Sequence, residues 1–235
     1  MRIRDLNWMQ LEEYLERDDR IVLPLGSTEQ HGYLSLETDN ILAERVSVEA
    51  AEPIGVPVLP VLPYGLTAMF ASAYPGSPTL RVETYAALLR ELLDSLYGQG
   101  FHRFLLVNGH GGNTPAGPVA REWTAEHSDA QAIFHSWWAG PKVVEVARAI
   151  DPEYSHANWG ENFPWTRLPG VELPERKPMM DESAYLVAGP DQLRAVIGDG
   201  SFGGLYQRPD EEMLQIWEAG VEEVRKLLES GWRRE

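Results

Sequence analysis

Four short apolar runs, Ile21 to Leu25, Val56 to Leu62, Phe104 to Val107 and Ala132 to His135, punctuate the chain, and between them lie longer stretches with apolar residues three and four apart. The short runs predict strands and the periodic stretches predict helices. Asp39 to Glu52 and Thr84 to Tyr97 are two such helices; in the second, Leu88, Leu89, Leu92, Leu93 and Leu96 share a face and Gly98 is placed to end it. Asp210 to Ser230 repeats the pattern through Met213, Leu214, Trp217, Val221, Val224 and Leu228, with Glu222, Glu223, Arg225 and Lys226 on the opposite face. This predicts a C-terminal amphipathic helix. Alternating strands and helices imply an α/β fold with a mostly parallel central sheet. Residues 152–178, rich in Pro, Gly, Asn and Trp and without a sustained period, predict a long loop near a functional site. No repeat or low-complexity linker divides the 235 residues, so one domain over 1–235 is expected.

Two polar clusters follow strand candidates. GSTEQHGYLSLETDN follows Ile21 to Leu25 and carries Glu29, His31 and Asp39; within FLLVNGHGGNTP, His110 sits in a glycine-rich turn before a helix expected to open near Thr114 and Pro115. The C-terminal strand ends are where open α/β sheets place their ligands. Glu29 and His31, two residues apart, share one side of an extended backbone, as two metal ligands must.

Charge and composition narrow the chemistry. Lys and Arg number 20 against 36 Asp and Glu, a formal charge of −16, and no basic stripe suits a phosphate backbone or an anionic membrane. No run approaches the ~20 apolar residues of a spanning helix, and the acid-bearing N-terminus has no signal-peptide core. A soluble, cytoplasmic protein is expected. With no cysteine, a transition metal would have to be held by His, Asp and Glu.

Taken singly, these residues have plainer readings. Asp39 ahead of Ile41 and Leu42 fits a helix N-cap, and His110 among glycines fits a turn. His102 and His127 are expected to face solvent, His135 to finish a strand, and most tryptophans to lie in the core or an interface. The structural alternative for the whole cluster is a group of carboxylates capped by glycine-loop amides.

In combination, LPLGSTEQHG, TDN, YPGSPTL, VNGHGGN and HANWGEN, in that order from about residue 20 to residue 165, resemble the creatininase family of metal-dependent amidohydrolases. The resemblance implies a three-layer α/β/α sandwich, two divalent ions per chain (Zn, Mn or Fe) at the strand ends, and a homo-oligomer, commonly a hexamer. It implies Glu29, Asp39 and His110 as ligands of one metal and His31, Asp39 and Glu161 as ligands of the other, with Asp39 bridging. It also puts His156 and Glu161 at the catalytic centre, His156 for proton transfer.

Several positions depart from the family pattern. GYLSL replaces a His-containing stretch, with Leu34 where that histidine would fall; Met69 and Phe70 replace polar residues before the PGS turn, making that wall more apolar. Gly112 stands where creatininase has a glutamate ligand, which leaves Glu161 for the second metal. HANWGEN differs from the commoner HAG pattern, which argues against creatinine as substrate. With His156 and Glu161 anchoring the loop, Asn158, Trp159, Asn162, Trp165 and Arg167 are expected to contact substrate. The expected activity is hydrolysis of a small, non-peptide, cyclic amide or formamide. Hydrolytic C–C ring opening of a cyclic polyol ketone is the first alternative, on the strength of that polar loop, and a non-catalytic ligand-binding protein is the second. Trp159 and Trp165, as aromatics that one small domain would leave exposed, add to the expectation of an oligomer.

Overall fold

The computed structural model describes residues 1–232. In chain order its helices and strands are α1 (Trp8–Leu15), β1 (Arg20–Leu25), α2 (Thr38–Ala51), α3 (Ala68–Ala73), α4 (Val82–Tyr97), β2 (Arg103–Asn108), α5 (Ala116–Glu126), β3 (Gln131–Ser136), α6 (Pro141–Ile150), β4 (Arg176–Lys177), α7 (Glu182–Val187), α8 (Pro190–Ile197), β5 (Gly204–Leu205) and α9 (Asp210–Ser230). Strands β1, β2 and β3 form a parallel sheet in that order, with Leu25 level with Asn108 and Asn108 level with Ser136. The C-terminal ends of all three therefore open on one rim.

Successive side chains point to opposite faces of the sheet. Val22, Leu105 and Val107 enter a core shared with α2, α6 and α9, including Leu42, Val46, Val143, Met213 and Val224. Ile21, Leu23, Leu25, Phe104 and Leu106 enter the other core, against Tyr85, Leu89 and Leu93 of α4 and Ala120 and Trp123 of α5. Helix on sheet on helix is the three-layer α/β sandwich expected. Strand runs that are apolar on both faces are what such a doubly covered parallel sheet requires.

The predicted strand Val56 to Leu62 is only partly realised. It runs parallel to β1 through isolated bridges at Val22–Val58 and Leu25–Leu62, and Leu59 N–H and Leu62 N–H donate to Val22 and Pro24 carbonyls at 2.9 Å each. Pro57 and Pro60 have no N–H to donate, so the ladder is interrupted. A third apolar cluster joins Phe70 and Tyr74 of the α3 region to Leu193 and Ile197 of α8 and lies beside the sheet rim.

Candidate metal centre

The rim is built by two tight turns and one helix start. After β2, the Asn108 side chain accepts from His110 N–H at 3.1 Å and donates to the His110 carbonyl at 2.8 Å, which folds the turn and presents the imidazole. A Cβ on Gly109 would overlap the Asp39 carbonyl oxygen, so only glycine lets the first turn of α2 seat against this strand end. Asp39 is thus inside the first turn of α2 and is not its N-cap, which is Glu37. Its carboxylate turns inward to the histidines.

Glu29, His31 and Asp39 are 1–2% exposed and His110 is 6% exposed. Asp39 Oδ1 lies 3.0 Å from His31 Nε2, and Asp39 Oδ2 lies 2.9 Å from His110 Nδ1. Glu161 Oε2 is 3.7 Å from His31 Nε2, and Glu29 Oε2 is 3.4 Å from His110 Nε2. The two ligand sets implied by the sequence, Glu29–Asp39–His110 and His31–Asp39–Glu161, each bring their ligand atoms within 4.8 Å of one another. A third set with that closeness is Glu29, His31 and His156.

The ring nitrogens show what the cluster can hold. His31 Nδ1 lies 3.1 Å from the Glu29 carbonyl, and His110 Nε2 lies 3.1 Å from the Leu66 carbonyl. A carbonyl only accepts, so those nitrogens carry the protons, and in a neutral ring the other nitrogen of each faces Asp39 lone pair to lone pair. His31 Nε2 and Asp39 Oδ2 have no hydrogen-bond partner among the described residues. Divalent cations fit this donor set: carboxylate oxygens and imidazole nitrogens, each imidazole anchored through its second nitrogen.

Electrostatics point the same way. Burial alone would lower the His31 and His110 pKa values, but the Asp39 carboxylate, with Glu161 and Glu29, outweighs it and raises both. Burial would raise Asp39, but the two imidazoles hold it well below the usual carboxylate range. Burial, aided by Asp39, pushes Glu29 and Glu161 up against the opposing imidazoles. Burial and then the His31 charge hold His156 well below its ordinary value. The pocket draws positive charge toward Asp39.

Glu161 and His156 reach the cluster from the long loop. Ala157, at φ 53°, is in the left-handed region that a non-glycine residue occupies at a cost of about 1 kcal/mol, and it reverses the chain between them. The Ala157 N–H donates to Glu161 Oε2 at 2.6 Å. A Cβ on Gly112 would overlap the Leu66 carbonyl oxygen, so this turn has no room for a side chain there, and Glu161 is the carboxylate that approaches His31 from the loop.

A cavity of about 350 Å³ opens above the cluster, lined by Glu29, Asp39, His110, His156 and Glu161 and walled by Phe70, Trp138, Tyr154, Tyr185 and Phe202. The sequence marked the apolar Met69–Phe70 wall. It gave no sign of Trp138, Tyr154, Tyr185 and Phe202, which converge from separate segments. Nor did it single out Thr67, whose hydroxyl donates to Glu29 Oε2, or Gln30, whose amide meets His156.

The five residues expected to contact substrate do not line this cavity, and their side chains are engaged elsewhere. Asn158 donates to the Glu153 and Gly203 carbonyls and accepts from Ser155 and Gly160 N–H. Asn162 donates to the Tyr206 carbonyl and accepts from Arg167, which pairs with Asp210 at 2.6 Å. Trp159 is fully buried in the core, and Trp165 packs on Phe163, Trp217 and Arg45. Local turn geometry explains this: the 3₁₀ turn Trp159–Glu161 sends Glu161 to the cluster and Trp159 into the core. The argument for an oligomer from unburied tryptophans therefore lapses.

A family profile described as Creatininase: Creatinine amidohydrolase matches residues 4–228. A creatinine amidohydrolase of Pseudomonas putida is 30% identical over 163 residues, 64% of this chain and 63% of that one. A 3-dehydro-scyllo-inosose hydrolase of Thermotoga maritima is 30% identical over 103 residues, 43% of this chain and 33% of the relative. A mycofactocin precursor peptide peptidase of Mycolicibacterium smegmatis is 35% identical over 107 residues, 41% of each chain. Each match spans less than two thirds of the relative. Among solved structures, a Bacteroides fragilis protein assigned as a creatinine amidohydrolase superposes with TM-score 0.79 at 25% identity, over 100% of this chain and 97% of that one. A manganese form of creatininase has TM-score 0.75 at 22% identity over 99% of both chains. A Zn–Zn form of a creatininase mutant has TM-score 0.74 at 22% identity over 99% of this chain and 98% of that one. With the sheet rim, the ligand clusters and a profile spanning nearly its whole length, the chain belongs to the creatininase family.

Proposed function

We propose that this protein is a metal-dependent hydrolase of a small, cyclic, non-peptide amide or formamide, with two divalent ions per chain. The observation that carries this is the convergence of Glu29, Asp39, His110 and Glu161 on the floor of one small, aromatic-walled cavity, with His31 buried beneath them against Asp39. Such cations supply water of lowered pKa and Lewis acidity toward a carbonyl oxygen.

The chain's own residues account for the rest. Asp39 offers one oxygen toward each imidazole, so its carboxylate is the shared element of the two sets. Thr67 fixes Glu29, and backbone carbonyls fix both rings, so the donors are set before substrate arrives. Phe70, Tyr154, Tyr185, Trp138 and Phe202 exclude water and offer faces to a ring. Glu161 and His156 border the cavity from the loop side, where they can meet the leaving atom. At about 350 Å³ the cavity is at the low end of the ~300–1,000 Å³ range of small-molecule sites, which favours a compact substrate over a peptide. Among the described residues that line it there is no Lys or Arg, so a substrate carboxylate would find no cationic side chain. The case for a cyclic polyol ketone rested on the polar loop around Asn158 to Arg167, and those side chains do not line the cavity.

Protein purified without chelator would be assayed for metal and tested against panels of lactams and other cyclic amides, formamides and cyclic polyol ketones. Turnover of a cyclic amide or formamide, abolished by chelation and restored by Mn or Zn, supports the reading. Turnover of the ketones alone moves it to C–C hydrolysis, and inactivity of the metal-loaded protein on every panel favours ligand binding. A hexamer is proposed from the family resemblance; light scattering returning the 26.4 kDa of one chain would overturn it.

A further inference from the structure

The third histidine at the rim is held differently from the two beside Asp39. Gln30, 5% exposed, places its Oε1 at 3.1 Å from Gly32 N–H and its Nε2 at 3.1 Å from the Gly200 carbonyl. Gly32 N–H can only donate and the Gly200 carbonyl can only accept, so the orientation of this amide is fixed by its neighbours. The amide nitrogen also lies 2.9 Å from His156 Nε2. A donor aimed at that nitrogen requires a lone pair there.

The ring is also held in its plane. Phe70 stacks on it at 5.1 Å with 12° between planes, and Phe202 lies 4.9 Å away on a tilt. The segment carrying Gly200 is tied to the same residue, because Phe202 N–H donates to the His156 carbonyl at 3.1 Å. At Gly200 a Cβ would overlap Gln30 Oε1, so glycine is what lets the clamp close.

We propose that Gln30 is a positioning residue that locks His156 as the Nδ1–H tautomer, so that His156 serves the substrate as a hydrogen-bond donor and offers no lone pair to a cation. In their neutral rings His31 and His110 turn a lone pair toward Asp39, where a cation would sit; His156 spends its own on Gln30. This removes Glu29–His31–His156 from the ligand sets and fixes Nδ1 as the ring nitrogen through which His156 donates to substrate. Only its role toward substrate rests on the hydrolase reading; the tautomer does not.

The test uses the full chain, labelled with ¹⁵N-histidine and loaded with zinc, in long-range ¹H–¹⁵N correlation spectra, with His156 assigned from the signals lost in His156→Gln. At pH 7 the expected spectrum shows a protonated Nδ1 and an unprotonated Nε2, the opposite of the tautomer that free imidazole side chains favour. Gln30→Glu, which puts an acceptor in place of the amide donor, should move the proton to Nε2 or add one there while zinc content stays at the wild-type value. In that variant kcat on the best substrate should fall about tenfold or more with KM within about threefold. A wild-type spectrum with Nε2 protonated, or one unchanged in Gln30→Glu, overturns the proposal. So does loss of zinc in His156→Gln. Failure of the hydrolase reading would look different: no turnover, with the tautomer as expected.

Discussion

Two groups of buried polar side chains lie near the sheet rim, one of amides and a hydroxyl and the other of acids and imidazoles, and they are bonded differently. In the loop 153–167, the side chains of Asn158, Asn162 and Thr166 are engaged by the protein itself, while the Trp159 and Trp165 indole nitrogens have no hydrogen-bond partner among the described residues. In the cluster of Glu29, His31, Asp39 and His110, His31 Nε2 and Asp39 Oδ2 are buried with no hydrogen bond among the described residues. In that cluster, with Glu161, acids and imidazoles face one another at 2.9–3.7 Å, a set of donor atoms that a divalent cation would complete.

The contrast can be broken most decisively at Asp39. Asp39→Ala should abolish binding of both ions and lower kcat/KM roughly a thousandfold, about 4 kcal/mol of barrier; loss of a single ion, by metal analysis, would mean that Asp39 does not bridge. His31→Ala should cost mainly one of the two ions and about a hundredfold in activity, and calorimetric metal titration that still resolved two equivalents would refute that assignment.

On the loop side the expected effects fall on stability. Asn158→Ala leaves two carbonyls and two N–H groups without their partner and should destabilise by about 2–3 kcal/mol, a drop of roughly 4–12 °C in Tm, with metal stoichiometry unchanged. A variant with wild-type Tm and tenfold lower kcat/KM would return this loop to the substrate. The smallest change is expected for Arg167→Ala. Its partner Asp210 is 47% exposed, so solvent screening leaves little in that ion pair, and the loss of about 1–2 kcal/mol comes mainly from the buried Asn162 Oδ1 left without its donor, with steady-state kinetics unchanged.

How much of this could be read in advance depended on the kind of signal. Strands β1, β2 and β3 were predicted to within a residue or two because a doubly covered parallel strand is an uninterrupted apolar run. Short helices such as α3, α7 and α8 have too few turns to show a period, and they went unseen. Val56 to Leu62 had the right composition and position beside β1, but the prolines outvoted the pattern. The ligand clusters were visible because Glu29, His31, Asp39 and His110 sit in two motifs that each follow a strand, and Glu161 was reached through the family resemblance. The loop's five residues were misread because nearness along the chain does not say which way a side chain turns; Trp159 is two residues from Glu161 and points into the core. The aromatic wall was hidden for another reason: Trp138, Tyr154, Tyr185 and Phe202 become neighbours only when four separate segments fold together.

The interrupted ladder along β1 matters beyond the active rim. An open sheet edge is a template on which another chain can add strands, and long exposed edges seed aggregation. Beside β1, the residues 56–62 bring Pro57 and Pro60 to that position, and the N-terminal residues close over them, with Ile3 N–H donating to the Val58 carbonyl at 2.9 Å and Val58 N–H to the Met1 carbonyl at 2.8 Å. The edge beside β1 is thus covered by a proline-interrupted segment and by N-terminal residues, Arg2 bridged to Val58 among them, so it does not present an unbroken ladder to another chain.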